Sequence, residues 1–111
     1  MRYFPSVFIG NITTTSNGFT SAITKRLVDG HIKLTSLGLE DDEQAEKSFH
    51  GGPDRALCHY PQEHYLYWSE QFPQLVDFFH APAFGENIST TGMTEENVFI
   101  GDIYQWGTAL I

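Results

Sequence analysis

The stretch His50-Gly51-Gly52-Pro53-Asp54-Arg55-Ala56-Leu57 gathers an imidazole, a carboxylate and a guanidinium around two glycines and a proline. Glycine accepts φ > 0 and lets a ligand reach the backbone, while proline has no N–H to offer a helix interior or a central strand, so the segment predicts a tight turn. An anion placed against it meets Arg55 together with open backbone amides, the pairing that phosphate-binding loops use. The same residues also suit a structural loop in which Asp54 and Arg55 only tie down backbone. The motif alone leaves both readings open.

Other chemistry is harder to assemble. His59 and His64 stand five residues apart with Pro61 between them, whereas two zinc-binding imidazoles on one helix face need a spacing of four, so no metal site is assigned. Five acids fall within seven positions from Glu40 to Glu46 (Glu40, Asp41, Asp42, Glu43 and Glu46), a run that reads as a solvated face or loop and lacks the alternating ligands and central glycine of a calcium loop. Cys58 sits beside Leu57 and near Tyr60, which predicts a buried strand thiol rather than a nucleophile. No glycine spacing matches a P-loop or a dinucleotide fingerprint.

The bulk properties narrow the partners. A chain of 111 residues has room for one domain with one core, and 41% hydrophobic against 18% charged residues describes a packed globule rather than a disordered chain. A formal charge of −8 argues against nucleic acid or an anionic membrane surface as the main partner. No apolar run reaches the roughly 18 residues of a membrane span, the N-terminus lacks the apolar core of a signal peptide, and a single cysteine forms no internal disulfide. These features predict a soluble cytoplasmic protein. The apolar end Gly107-Thr108-Ala109-Leu110-Ile111 has strand character and no polar tail, which predicts a chain truncated at its C-terminus.

The elements that must position these residues are mostly extended. A first strand is predicted over 5–12, with Val7 and Ile9 on one face and Phe8 and Gly10 on the other, followed by a turn or short hairpin over 11–19 centred on Asn17-Gly18. Residues 21–25 read as strand or extended chain. Asp29-Gly30 is a turn signal, and the alternation of Ile32, Leu34 and Ser36 after it predicts a hairpin across this pair. Cys58-His59-Tyr60 is expected to be buried, with Pro61 in the first turn of a helix. Tyr65, Trp68, Phe72, Leu75, Val76 and Phe79 recur at steps of three and four, giving a helix over 61–71 and, after the break at Pro73, a shorter one over 73–79. This stripe reads as core, not as a cofactor box. A short strand over 88–91, a threonine-capped turn at Thr94 and a bend at Gly101-Asp102 complete a mainly β chain, a barrel or sandwich with an inserted helix around 61–79.

Four stretches in this order and spacing carry a family likeness: Gly38-Leu39-Glu40-Asp41-Asp42-Glu43-Gln44-Ala45, the His50 to Leu57 turn, Phe84-Gly85-Glu86-Asn87 and Gly101-Asp102. Together they resemble the MOSC domain family over nearly all 111 residues, closest to the bacterial proteins that protect against 6-N-hydroxylaminopurine. The resemblance implies a single MOSC-type β-barrel domain, here partial, that binds the molybdenum cofactor, a pterin with a dithiolene and a phosphate. It also implies reduction of N-hydroxylated bases to amines, with re-reduction by a separate electron-transfer partner. Carried over position by position, Arg55 and Lys25 meet the anionic cofactor, Gly51 and Gly52 let it approach, and Asp54 orients Arg55. His50, Glu86 and Asn87 fall on the substrate side, where a proton donor helps the N–O bond leave as water.

Two positions depart from the family pattern. Asp41 stands where glycine is usual, which demands a left-handed backbone of an aspartate. The family's metal-binding cysteine lies beyond Ile111 and Cys58 does not match it, so the chain alone is expected to be inactive. A non-enzymatic module that carries the cofactor or a sulfur group is the alternative. A cofactor-free hydrolase built on His50, Asp54 and Glu86 lacks any activated nucleophile. The expected partners are a small N-hydroxylated substrate and a reductase, with neither nucleic acid nor membrane, and a homodimer through open strand edges.

Overall fold

The computed structural model describes residues 5–14, 16–45 and 52–111. His50 and Gly51, and with them two of the sequence-predicted site positions, lie outside the described residues.

Strand β1 (Ser6–Ile9) is shorter than the predicted span and is paired on both sides. On one side it meets β4 (Arg26–Leu27), antiparallel with Phe8 opposite Leu27; on the other it meets β8 (Ile88–Thr90), antiparallel with Val7 opposite Ile88. Being central, it is covered on both faces: Phe8, Ile9 and Gly10 are all buried, and the one-face alternation predicted for it is absent. Beyond β8 lies β7 (His59–Pro61), parallel to it with Tyr60 opposite Ser89, so the four-stranded sheet runs β4-β1-β8-β7.

A parallel pair needs a crossover, and here α1 (Glu63–Gln71) supplies it. The helical stretch lies where the aromatic periodicity put it, with Phe72 ending α1 and a 3₁₀ turn at Pro73–Leu75 following. Pro61 is not in the first helical turn, however. It closes β7, an edge strand where a missing N–H costs no ladder bond. Tyr65 is buried against Tyr60 and Phe84, and Trp68 and Phe79 pack on Phe84, with ring centroids 5.0 to 6.5 Å apart. Only this part of the stripe is core: Phe72, Leu75 and Val76 are exposed, because Pro73 ends the helix and the turn after it leaves the packed face.

The remaining strands are two-residue pairs: β2 (Thr13–Thr14) with β3 (Thr20–Ser21) around the Asn17-Gly18 turn, β5 (Leu34–Thr35) with β6 (Gly38–Leu39), and β9 (Gln105–Trp106) with β10 (Ala109–Leu110). Gly30 does turn, at φ 88°, but no hairpin forms across Asp29-Gly30: β4 pairs with β1 and β5 with β6. Pairing with the central strand extends the main sheet, although both residues of β4 stay exposed at its edge. The chain is thus mainly β with one α-helix, and the strands form no closed barrel among the described residues.

Candidate functional site

A cleft of about 670 Å³ opens between the segment after β3, the turn before β7 and the loop before β8. Lys25, Asp42, Asp54, Arg55, Cys58, His59 and Asn87 all line it. Gly52, with φ 77°, starts a 3₁₀ turn at Pro53–Arg55 closed by the Arg55 amide on the Gly52 carbonyl at 3.2 Å, and this turn holds Asp54 and Arg55 at the exposed rim. Only a residue free to take positive φ leads into proline this way, which accounts for the glycine.

The cleft wall is organised by Asp42. Its Oδ1 accepts from Lys25 Nζ at 2.8 Å and from the Gly10 amide at 2.9 Å; its Oδ2 accepts from Asn87 Nδ2 at 2.8 Å and Gln44 Nε2 at 3.3 Å. The Lys25 and Asp42 side chains are 6% and 1% exposed, so this ion pair is largely shielded from bulk water while it lines the cleft. Its charges compensate each other, as buried charges must. Gly10 permits the approach, because a Cβ there would sit 2.5 Å from the Thr24 carbonyl oxygen. The acidic run is therefore split: Glu40, Asp41 and Glu43 are exposed as expected, and Asp42 is turned inward.

Asn87 and Glu86, adjacent in sequence, face different surroundings. Besides Asp42, Asn87 Nδ2 donates to the Phe8 carbonyl at 3.1 Å, and Oδ1 accepts from the Cys58 amide at 3.0 Å, so the side chain is fully engaged in the cleft wall. Glu86 is completely buried beneath that wall. Its carboxylate accepts from the Tyr65 hydroxyl and from the Phe84 amide at 3.3 Å. Burial, and then the Glu86 carboxylate, push the Tyr65 hydroxyl far above the usual phenol range and keep it a donor.

Cys58 is exposed at the cleft, contrary to the buried position predicted for it, because the chain reaches β7 only at His59. Desolvation raises its thiol, Glu86 adds to the rise and Lys25 opposes it, so the thiol stays protonated at neutral pH. His59 is half-buried and shares a 2.7 Å hydrogen bond with Thr90 Oγ1. Desolvation lowers its pKa against the pull of Glu95, Glu63 and Glu86, leaving a neutral imidazole. His64 instead faces Glu95 at 2.8 Å.

Of the sequence-predicted site residues, Lys25, Asp54, Arg55 and Asn87 come together around one cleft, Gly52 shapes its rim turn, Glu86 lies under its wall, and His50 and Gly51 fall outside the described residues. Asp42 and His59 were not among them. The signal for Asp42 was weak, a two-residue offset from the run's first acid, and nothing local separates an inward carboxylate from its solvated neighbours.

A four-stranded sheet with one helical crossover thus carries a charged cleft on its rim loops. The MOSC domain model matches residues 46–111, and the chain belongs to that family. Over all 111 residues it is 62% identical to Protein YiiM of Escherichia coli K12, of which it covers 50%. Over 88 residues, 79% of this chain, it is 44% identical to a protein of Gibberella moniliformis named Reductase, of which it covers 16%. The crystal structure of YiiM from Escherichia coli superposes on 99% of this chain with a TM-score of 0.74 and 51% identity, covering 43% of that chain. The chain thus spans half the length, or less, of the relatives it matches.

MOSC domains are associated with molybdenum cofactor binding. The cleft has the volume of a small-ligand pocket and carries Lys25 and Arg55 on its walls, which fits a group with one anionic end. Asp42, Glu43 and Asp54 on the same walls limit how much further negative charge it takes.

Proposed function

We propose that this chain is the cofactor-holding part of a MOSC-type reductase that converts N-hydroxylated bases such as 6-N-hydroxylaminopurine to amines. The supporting observation is that Lys25 and Arg55, 30 residues apart in the sequence, line one cleft against the Asp42 and Asn87 wall.

In this reading Arg55 at the rim and Lys25 on the wall bind the anionic end of the molybdenum cofactor, Asp54 orients Arg55, and the Gly51-Gly52 backbone lets the group approach. When bound, the cofactor supplies redox chemistry that accepts the oxygen of an N–OH group. Reduction of R–NHOH consumes two electrons and two protons and yields R–NH₂ and water, so a side chain must deliver a proton as the N–O bond breaks. His50 is assigned that task. Asn87 shapes the substrate side of the wall, and Glu86 acts through the loop that it fastens to Tyr65.

Closure of the β-barrel as one domain, and the metal-binding cysteine, are assigned to the part of the relatives' length that this chain does not span. The reading also includes a cytoplasmic location, a separate electron-transfer reductase, no nucleic-acid or membrane partner, and a homodimer through open strand edges. Sedimentation of a strictly monomeric species would remove the dimer from it.

The test is turnover. Full-length, cofactor-loaded protein incubated with 6-N-hydroxylaminopurine and a chemical reductant is expected to form adenine, and Arg55→Met to lower cofactor occupancy. Cofactor binding without product would favour the non-enzymatic carrier, and product from cofactor-free protein would favour a hydrolytic site.

A further inference from the structure

A carboxylate that lines a cleft has two uses: it receives a ligand, or it holds something that does. Asp42 has no capacity for the first. Its two oxygens offer about four acceptor sites, and Lys25, Gly10, Asn87 and Gln44 supply a donor to each. What it holds is informative. Lys25 is a compact cation on a flexible four-carbon stem, a side chain that loses much rotamer freedom when ordered. Asn87 has an amide whose two ends are alike in shape, so only hydrogen bonds fix which way it faces.

We propose that Asp42 is a positioning residue of the cleft, ordering the Lys25 ammonium and the Asn87 amide on its wall before a ligand arrives. The proposal rests on the cofactor reading above and extends it to a residue outside its ligand set. Three segments are joined at this one carboxylate: the stretch after β3 through Lys25, the end of β1 through Gly10, and the loop before β8 through Asn87. Asp42 accepts one of the three ammonium protons, so the cation stays on the wall with donors to spare. Without the charge of Asp42, Lys25 at 6% exposure would be an unpaired buried cation, and turning out to solvent would relieve it. The order of the Asn87 amide follows from the same bond: Nδ2 faces two acceptors, Asp42 and the Phe8 carbonyl, and Oδ1 faces the Cys58 N–H, so a flip would lose all three. An anion entering the wild-type cleft meets a cation already ordered, and preorganisation of this kind appears as affinity.

Two measurements on Asp42→Asn test this. The first needs no ligand: reductive methylation of Lys25, followed by peptide mass spectrometry, is expected to speed up about tenfold or more as the shielded pair opens. The second uses inorganic pyrophosphate as the anionic probe, titrated calorimetrically. Asp42→Asn is expected to bind it about tenfold more weakly, and Asp42→Asn with Lys25→Met no more weakly than Lys25→Met alone, because both act through one group. Unchanged Lys25 labelling, or pyrophosphate binding equal to or tighter than wild type, overturns the proposal, since Asp42 would then only neutralise charge. Should Asp42→Asn fail to fold, Asp42→Glu keeps the charge but displaces it by one methylene, and wild-type behaviour in both measurements would be equally fatal. Wild-type protein that binds no pyrophosphate would count against the cofactor reading, and the labelling result would still decide the role of Asp42.

Discussion

Asn87 Nδ2 donates to Asp42 Oδ2 at 2.8 Å across 45 residues of chain. Through this bond, and through its contacts with the Phe8 carbonyl and the Cys58 amide, one side chain ties the sheet centre, the inward-turned acid and the entry to β7 together. The cleft wall and the core of the sheet are therefore one hydrogen-bonded unit.

Asn87→Ala should lower the unfolding free energy by about 2–4 kcal/mol, because it strands a buried carbonyl, an amide N–H and part of a carboxylate. Asn87→Asp should fare no better, since its second oxygen would oppose Asp42. Urea denaturation with an unchanged m-value is the measurement. A loss within experimental error would mean that water replaces the amide.

Tyr65→Phe keeps the aromatic packing and removes only the hydroxyl that serves Glu86. The expected cost is about 1–3 kcal/mol for leaving a fully buried carboxylate short of a donor. Glu86→Gln in the same background should add less than it does alone, because the two side chains form one contact. Full additivity would show that Glu86 is satisfied elsewhere.

His59 makes stability depend on pH. Its folded pKa lies below the ordinary value of 6.5, so below that pH the unfolded chain binds more protons than the folded one. Its contribution is therefore intact above about pH 6.5 and is lost as pH falls through the lowered folded value. His59→Gln should flatten the urea midpoint over that window relative to wild type. An identical pH slope in the variant would assign the dependence to other groups.

Asp41 has φ 67° and is the one non-glycine residue with positive φ among those described. A β-branched side chain tolerates that conformation poorly, so Asp41→Val should destabilise by about 1–2 kcal/mol while Asp41→Gly leaves stability level or slightly raised. Thermal melts of the pair decide it, and equal melting temperatures would mean that the turn relaxes to negative φ. The family likeness had pointed to this residue, since glycine is the usual occupant of that position.

Local patterns reached as far as local physics does. The aromatic spacing from Tyr65 to Phe79 located the helical stretch because a helix face repeats every three to four residues whatever it packs on. The Asn17-Gly18 hairpin followed from turn chemistry. The same logic failed at Asp29-Gly30. The turn is present, but strand pairing is a long-range choice, and β4 joins the central β1 instead of the chain that follows the turn. Cys58 was misplaced for a related reason: apolar neighbours predict burial only once the start of the strand is known.

The sequence by itself determined which residue types could bear chemistry, that the chain is mainly β with a helix inserted around 61–79, and the family motifs, because residue type, period and order are properties of the chain alone. Only the tertiary structure decided which carboxylate of the acidic run faces inward, that Lys25 is paired with it, and that Asn87 closes the cluster. Those contacts join residues 17 and 45 positions apart. Their energy depends on desolvation and geometry at a cleft wall that exists only after the sheet has formed.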